Sequence, residues 1–474
     1  MTVTSACAGG SWPAMSGPDD AAAGQPPPWE ALQGLIDTND PVAAQAFLRE
    51  LPPTELPRVL SLLGNAESAR LLEMLDPETS RALVETIPEA QATEVLSELS
   101  PQTAADIVAL LPSNEQADLI GSLAADEAQA ILQGMPAQEA ADAERLAQYP
   151  EGTAGAIMIT EYLSFPEAVT VGGVLQDLVR NAERYQRHDV QYVYITNAGG
   201  VLRGVLRLRD LVLTAHQIPV REIMIPAFDA VPAEASLQIL RDFFATRAYR
   251  GVPVVDRVGR LVGVVRHADV AEAVGEREAA DHLKAQGIVG GEELRTMPTV
   301  TRAWHRLSWL SINIVLNIIA ASVIALYQET LAAVIVLAVF LPIISDMSGC
   351  SGNQAIAVSM REITLGLIQP SDALRVWLKE LTVGLINALV LGVLLGVAAY
   401  LWQRNVYLSL VVGFALAINT ILSVSLGGLV PLFLRRMRMD PALASGPILT
   451  TVTDMCGFLL VLSFASATLP LISG

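Results

Sequence analysis

The chain has 474 residues, 52% of them hydrophobic, with a formal net charge of −19 and three cysteines. That length suffices for about three domains. The acidic balance argues against nucleic acid and anionic lipid as partners and leaves cations as the natural ligand. Cys7, Cys350 and Cys456 are far apart, and no CxxC or Cys/His spacing occurs, so neither a disulfide framework nor structural zinc is expected.

The average hides a split. Residues 307–474 carry seven basic and seven acidic side chains between long apolar runs; residues 1–306 carry the other 23 basic and 42 acidic ones, and with them the whole net charge. An acidic soluble part therefore precedes a neutral membrane part. Residues 1–28 are rich in Ala, Gly, Pro and Ser, without a basic n-region or an apolar h-region, which reads as a disordered tail.

Residues 29–149 read as a helical repeat. Pro77, Pro88, Pro101 and Pro112 recur at spacings of 11, 13 and 11, and segments such as 92–99 and 104–111 each fit about two amphipathic turns. Proline suits the first turn of each next helix. Helices this short cannot bury a face alone, so a stacked superhelix is expected.

Residues 150–275 change period. Gln191–Thr196 alternates as a strand and is followed by the turn Asn197-Ala198-Gly199-Gly200. The pattern returns at Gly251–Val255 with the turn Asp256-Arg257-Val258-Gly259. Gly200, Gly204 and Asp210 recur as Gly259, Gly263 and Asp269 at an offset of 59. Two copies of strand, turn, strand and helix predict a tandem α/β pair with pseudo-two-fold symmetry. The pattern resembles a CBS-domain pair, the Bateman module. That resemblance implies an adenosine-nucleotide cleft, with Asp210 on the ribose and Arg209 and Tyr192 nearby; the alternative is that Asp210 and Asp269 only cap helices. Residues 276–306 form a connector, helical from Glu276, interrupted by Gly287, Gly290 and Gly291, and ending on Arg295, Arg302 and Arg306.

Five spans follow, near 307–327, 330–350, 380–402, 406–434 and 445–472, each close to the ~20 residues needed to cross. Basic residues before span 1, after span 2 and after span 4 face only Arg404 on the other side. The positive-inside rule therefore puts residues 1–306 in the cytoplasm, with the C-terminus outside an inner (plasma) membrane. Gly392 and Gly396 form a G-x-x-x-G packing face. Two polar stretches interrupt the apolar runs: Leu341–Gln354, which holds Asp346 and three glycine or cysteine positions (Gly349, Cys350 and Gly352), and Asp440–Pro447, with Asp454 beyond it. Hydrocarbon cannot solvate such groups, so they face protein or a water-filled path.

The order of superhelix, CBS pair, connector and five spans resembles the MgtE family of magnesium channels and transporters, over residues 35–474. Tyr149–Met158, Ser351-Gly352-Asn353-Gln354, Asp440-Pro441-Ala442, Ser445-Gly446-Pro447 and Thr453-Asp454 carry the likeness. It implies a dimer with Asp454 in the pore, attracting hydrated Mg²⁺. It also implies pore-lining positions Gly349, Asn353, Ala357, Gly446 and Thr450, and a connector that acts as a plug helix. The sequence departs from the family pattern at Cys350, at the extra carboxylate Asp346, and at His282, where an acidic residue is frequent. Mg²⁺ sheds water reluctantly and prefers oxygen ligands, which suits a path with few carboxylates. No imidazole or thiolate cluster competes for softer metals.

The acidic cytosolic part predicts feedback. Divalent ions bridging Asp269, Glu276, Glu278, Asp281 and Asp440 near the pore mouth would favour a compact, closed arrangement. The rival readings are a carrier of Co²⁺, Mn²⁺ or Ca²⁺, supported by Asp346 and Cys350, and a CBS-regulated anion channel. No Walker motif or hydrolase spacing points to an enzyme.

Overall fold

The computed structural model describes residues 26–185, 191–226, 229–290 and 293–472; the tail as far as residue 25, with Cys7, and Gly291 lie outside the described residues. The chain separates into two compact units, Met1–Ala143 and Glu144–Gly474.

The first unit is a series of short helices. α1 to α5 are Pro28–Asp37, Pro41–Glu50, Leu56–Leu63, Asn65–Met74 and Pro77–Val84; α6 to α10 are Glu89–Glu98, Pro101–Val108, Ser113–Ser122, Ala125–Gly134 and Ala137–Leu146. Pro41, Pro77 and Pro101 take the first helical position, behind the capping side chains of Asp40, Asp76 and Ser100. Pro88 and Pro112 stand one residue earlier, as N-caps. The fixed φ of proline suits both places, and neither needs its missing N–H. From α4 onward, helices pack on the second one after them, α4 on α6, α5 on α7, α6 on α8 and α7 on α9. The buried row includes Leu71, Leu96 and Ile107. This alternate stacking is what the proline period predicts of helices too short to stand alone.

The second unit opens with α11 (Ala154–Ile157) and two related sheets. The first holds β1 (Leu163–Pro166), α12 (Val171–Arg180), α13 (Ala182–Tyr185), β2 (Tyr192–Thr196), β3 (Leu202–Arg207), α14 (Leu208–Val212) and β4 (Ile225–Pro226), with strand order β1-β2-β3-β4. The second holds β5 (Val231–Pro232), α15 (Leu237–Thr246), β6 (Gly251–Val255), β7 (Leu261–Arg266) and α16 (His267–Ala285), with order β5-β6-β7. The offset of 59 reappears in the ladders: Tyr192 pairs with Arg207 as Gly251 does with Arg266, and Ile195 with Gly204 as Val254 does with Gly263.

The turns lock the two copies together. The Leu202 N–H donates to Gly259 O and the Leu261 N–H donates to Gly200 O, both at 3.1 Å. That reciprocity is the signature of a pseudo-two-fold axis. Gly200 and Gly259 have φ of +76° and +81°, a region where a side chain would be strained.

α16 runs without a break through residue 275, so the closing helix of the second repeat and the acidic start of the connector are one element. A bend follows, in which Glu293, almost wholly buried, pairs with Arg302 and Arg306.

Five long helices remain: α17 (Thr299–Leu326), α19 (Leu337–Thr364), α20 (Ala373–Gln403), α21 (Val406–Arg436) and α22 (Pro441–Ala467), with the short α18 (Gln328–Ala333) and α23 (Leu469–Ile472). Four of the five are long and apolar enough to cross a membrane; α19 is the one diluted by polar residues. The second span was expected near 330–350. The chain instead breaks after Ala333 and then stays helical from Leu337 through the polar stretch to Thr364. The reason lies in α21, the central helix, which packs on α19, α20 and α22. A Cβ on Gly427 would strike Gly352 O, so the two backbones are in direct contact there. Gly392 and Gly396 lie against Gly413 and Ser409 of α21, a packing face as expected.

Candidate ion path and its cytosolic contacts

The polar stretch of α19 has two faces. Ser348, Ser351, Gly352, Ala355 and Ser359 are buried; Asp346, Cys350, Asn353 and Ala357 are exposed, at steps of four, three and four residues along one stripe. The buried face is small because α21 lies close, and Ser359 Oγ donates to Gly428 O at 3.2 Å. The Cys350 thiol lies 4.0 Å from Asp346 Oδ1.

α22 supplies the other side. Asp454 is half-buried, and its Oδ1 accepts a hydrogen bond from Ser345 Oγ of α19 at 2.5 Å. Gly349 faces Thr450: a Cβ built on Gly349 would lie 4.0 Å from the Thr450 methyl. Gly446 faces open space. The fold thus gathers Ser345, Gly349, Thr450 and Asp454 along the α19–α22 seam, beside the exposed row of α19. Among the described residues, no three Asp, Glu, His or Cys side chains of one chain converge to hold a metal.

Reading the sequence missed what holds the seam. Asn419 of α21 donates to Ser348 Oγ at 2.6 Å and to Thr453 O at 3.1 Å, and Ser423 Oγ donates to Ser348 O at 2.5 Å. The available signal was an amide inside an apolar span, which is costly unless paired.

Of the five acids expected near the mouth, two come together. Asp440 caps α22 by accepting from Ala442 N, and its Oδ2 lies 3.3 Å from Lys284 Nζ of α16. Asp281 is close by. Burial pushes its carboxyl above the usual range; Arg277 and Lys284 pull it down, while Asp440 and Glu278 add to the rise. Glu276 and Glu278 are exposed on α16. Asp269 departs from the expectation: it is buried and held by Arg266, with Oδ1 2.7 Å from Nη2. A carboxylate so committed is a poor bridging ligand.

A second contact, from the α/β pair, reaches α19. Arg241 of α15 donates from Nη1 to Thr364 O at 3.0 Å and from Nη2 to Leu365 O at 2.9 Å. The guanidinium thereby caps the C-terminal carbonyls of the polar helix, where a cation is favoured by the helix dipole.

Between the two repeats lies a cleft lined by Tyr162, Gln191, Tyr192, Tyr194, Arg250 and Arg266, among others. Its volume open to a water-sized sphere is about 40 Å³, too little for a nucleotide without opening. Tyr192 lines it as expected. Arg209 and Asp210 do not; Asp210 pairs with Arg209 at 3.4 Å and Arg207 at 3.8 Å, and its side chain does not cap α14. Two arginines and three tyrosines still suit a phosphorylated aromatic ligand.

Helices long and apolar enough to cross a membrane, a polar seam among them and a tandem α/β pair together define a multi-pass membrane transport protein. The comparisons identify which kind. The profile of the MgtE divalent cation transporter family matches residues 341–464, that of the MgtE intracellular N domain 51–152, and that of the CBS domain 220–276. The magnesium transporter MgtE of Thermus thermophilus is 34% identical over 326 residues, covering 68% of this chain and 72% of that one. That of Bacillus subtilis is 28% identical over 322 residues, covering 68% and 71%. Among solved structures, the soluble part of a magnesium transporter is 23% identical, with a TM-score of 0.47, and covers 53% of this chain and 98% of that one. The chain belongs to the MgtE family of transporters and is not an enzyme. The CBS profile reaches only the second repeat; the first is recognised by the shared offset and the reciprocal turns.

Proposed function

We propose that the protein carries Mg²⁺ along a path formed where the α19–α22 seams of two copies meet. The carrying observation is the uncovered row Asp346, Cys350, Asn353 and Ala357 beside Asp454. Polar groups at membrane depth must be covered by protein or wetted. A second copy about a two-fold axis supplies both, and brings two Asp454 carboxylates to one ion. Two facing carboxylates suit an ion held largely through its own waters, as Mg²⁺ is. In this reading Asp454 attracts the ion. Gly349, Asn353, Ala357, Gly446 and Thr450 contact its hydration shell through carbonyl and side-chain oxygens, and Asp346 extends the negative field.

The names of the relatives favour Mg²⁺. Asp346 and Cys350 favour a second reading, the same path serving Co²⁺, Mn²⁺ or Ca²⁺. Two facing carboxylates oppose an anion channel.

The cytosolic part is the sensor in this account. Residues 29–149 form the superhelix, 150–275 the CBS pair, 276–306 the plug connector and 307–474 the pore domain of a plasma-membrane protein with its C-terminus outside. Cytosolic Mg²⁺ binds at Asp281 and Asp440, with Glu276 and Glu278 nearby, and competes with Lys284 for Asp440. The CBS cleft accepts an adenine nucleotide such as ATP, with Tyr192 against the base and Arg250 on phosphate.

The test is flux into proteoliposomes. Asp454→Asn keeps size and loses charge, and should abolish most Mg²⁺ uptake; wild-type uptake by this variant would remove the basis of the reading.

A further inference from the structure

The core of the membrane unit holds polar groups that do not face the ion path. Asn419 and Ser423 of α21, Ser348 of α19 and Thr453 of α22 are all fully buried. Such groups are usually inter-helix glue that adds stability and nothing else. Here their placement is specific. The Asn419 amide gives one proton to Ser348 Oγ on α19 and one to the Thr453 carbonyl on α22. Ser348 lies one turn from Ser345, and Thr453 adjoins Asp454. One planar group therefore spans the two backbones whose side chains form the Ser345–Asp454 bond.

Gly457, on the next turn of α22, makes room for the amide: an added Cβ there would lie 2.7 Å from the amide nitrogen. Among the described residues the amide's Oδ1 has no hydrogen-bond partner, so the nitrogen makes the bonds seen here. On the far side, Ser423 holds the Ser348 carbonyl and fixes α19 against α21. Lipid cannot replace any of these bonds, so their loss lets the seam relax rather than exchange partners with solvent.

We propose that Asn419 is the positioning residue of the ion path: it sets the α19–α22 register at which Ser345 holds Asp454 toward the ion. The inference rests on the reading of Asp454 as the ion-attracting carboxylate. It assigns to α21, which contributes no group to the path, a share in selecting the ion.

The experiment compares Asn419→Ala, Ser348→Ala and Asp454→Asn, each in the full-length chain in proteoliposomes. It measures the half-saturating Mg²⁺ concentration, the maximal rate, the preference for Mg²⁺ over Ca²⁺ and the melting temperature. Asn419→Ala and Ser348→Ala are expected to raise the half-saturating concentration by about two- to tenfold, the worth of one or two lost hydrogen bonds. They should also lower the preference for Mg²⁺. If they lower only the melting temperature and the rate per milligram, with half-saturation and preference unchanged, Asn419 is glue and the proposal is overturned. Should Asn419→Ala fail to fold, Ser348→Ala decides, since it deletes the hydroxyl that accepts from Asn419 with almost no change of volume. Wild-type behaviour of Asp454→Asn defeats the ion-path reading and this inference with it. Loss of flux there, with unchanged constants in the other two, defeats this inference alone.

Discussion

Removing the Arg241 guanidinium tests whether the cytosolic part controls the path. The side chain makes two hydrogen bonds to the last carbonyls of α19, at 3.0 and 2.9 Å, and is 25% exposed. A net hydrogen bond is worth about 1 kcal/mol, and a cation at a helix C-terminus about 0.5 kcal/mol. Water can reach a partly exposed site and replace some of this, so about 1.5 kcal/mol is a fair figure for Arg241→Ala. That is roughly a tenfold shift away from the docked arrangement. If two Mg²⁺ ions bind as docking occurs, the midpoint moves by the square root, about threefold. Uptake measured against graded Mg²⁺ on the cytosolic face should then show half-inhibition at about three times the wild-type concentration. The maximal rate should not change, since Arg241 lies outside the seam. An unchanged midpoint would show that the Arg241 contact with the end of α19 has no part in inhibition.

Two further outcomes are expected. Asp346→Asn should change the Mg²⁺/Co²⁺ uptake ratio, because it removes the carboxylate beside Cys350; a constant ratio would exclude Asp346 from the path. Acidification should favour the docked arrangement of α16 on α22. Burial raises the Asp281 carboxyl above its ordinary range, with Asp440 and Glu278 adding to this against Arg277 and Lys284. The docked state is therefore most stable below the ordinary carboxylate range, and that stability is lost as pH rises through the raised value. In Mg²⁺-free buffer, flux should rise with pH through that window in the wild type, and Asp281→Asn should abolish the dependence.

The parts of the fold that were legible are those with a local period. Proline spacing announced the helices of the first unit because each proline starts one. The offset of 59 announced the CBS pair and survives as ladder register because a one-residue slip would turn every strand over. The extent of α19 was not legible. Gly349 and Gly352 read as an interruption, yet they continue a helix; Gly352 lies directly against Gly427 on α21, a fact held 75 residues away. The same limit hid Arg241, Lys284 and Asn419, whose partners lie far along the chain. Of the acids near the mouth, Asp269 misled for a local reason: Arg266, three residues earlier, takes it first.

The unbroken run of α16 has a mechanical consequence. Its 19 residues make a rod about 28 Å long. One end is seated in the second CBS sheet and the other reaches Asp440 at the start of α22. A tilt of about 5° at the seated end displaces the far end by about 2.5 Å, close to half the pitch of a helix. If a ligand that opened the cleft between the repeats also tilted α16 by this much, the displacement at the foot of α22 would be large enough to break the Lys284–Asp440 contact. Leverage of this kind would let a small cleft act on a distant seam without any part of the chain having to unfold.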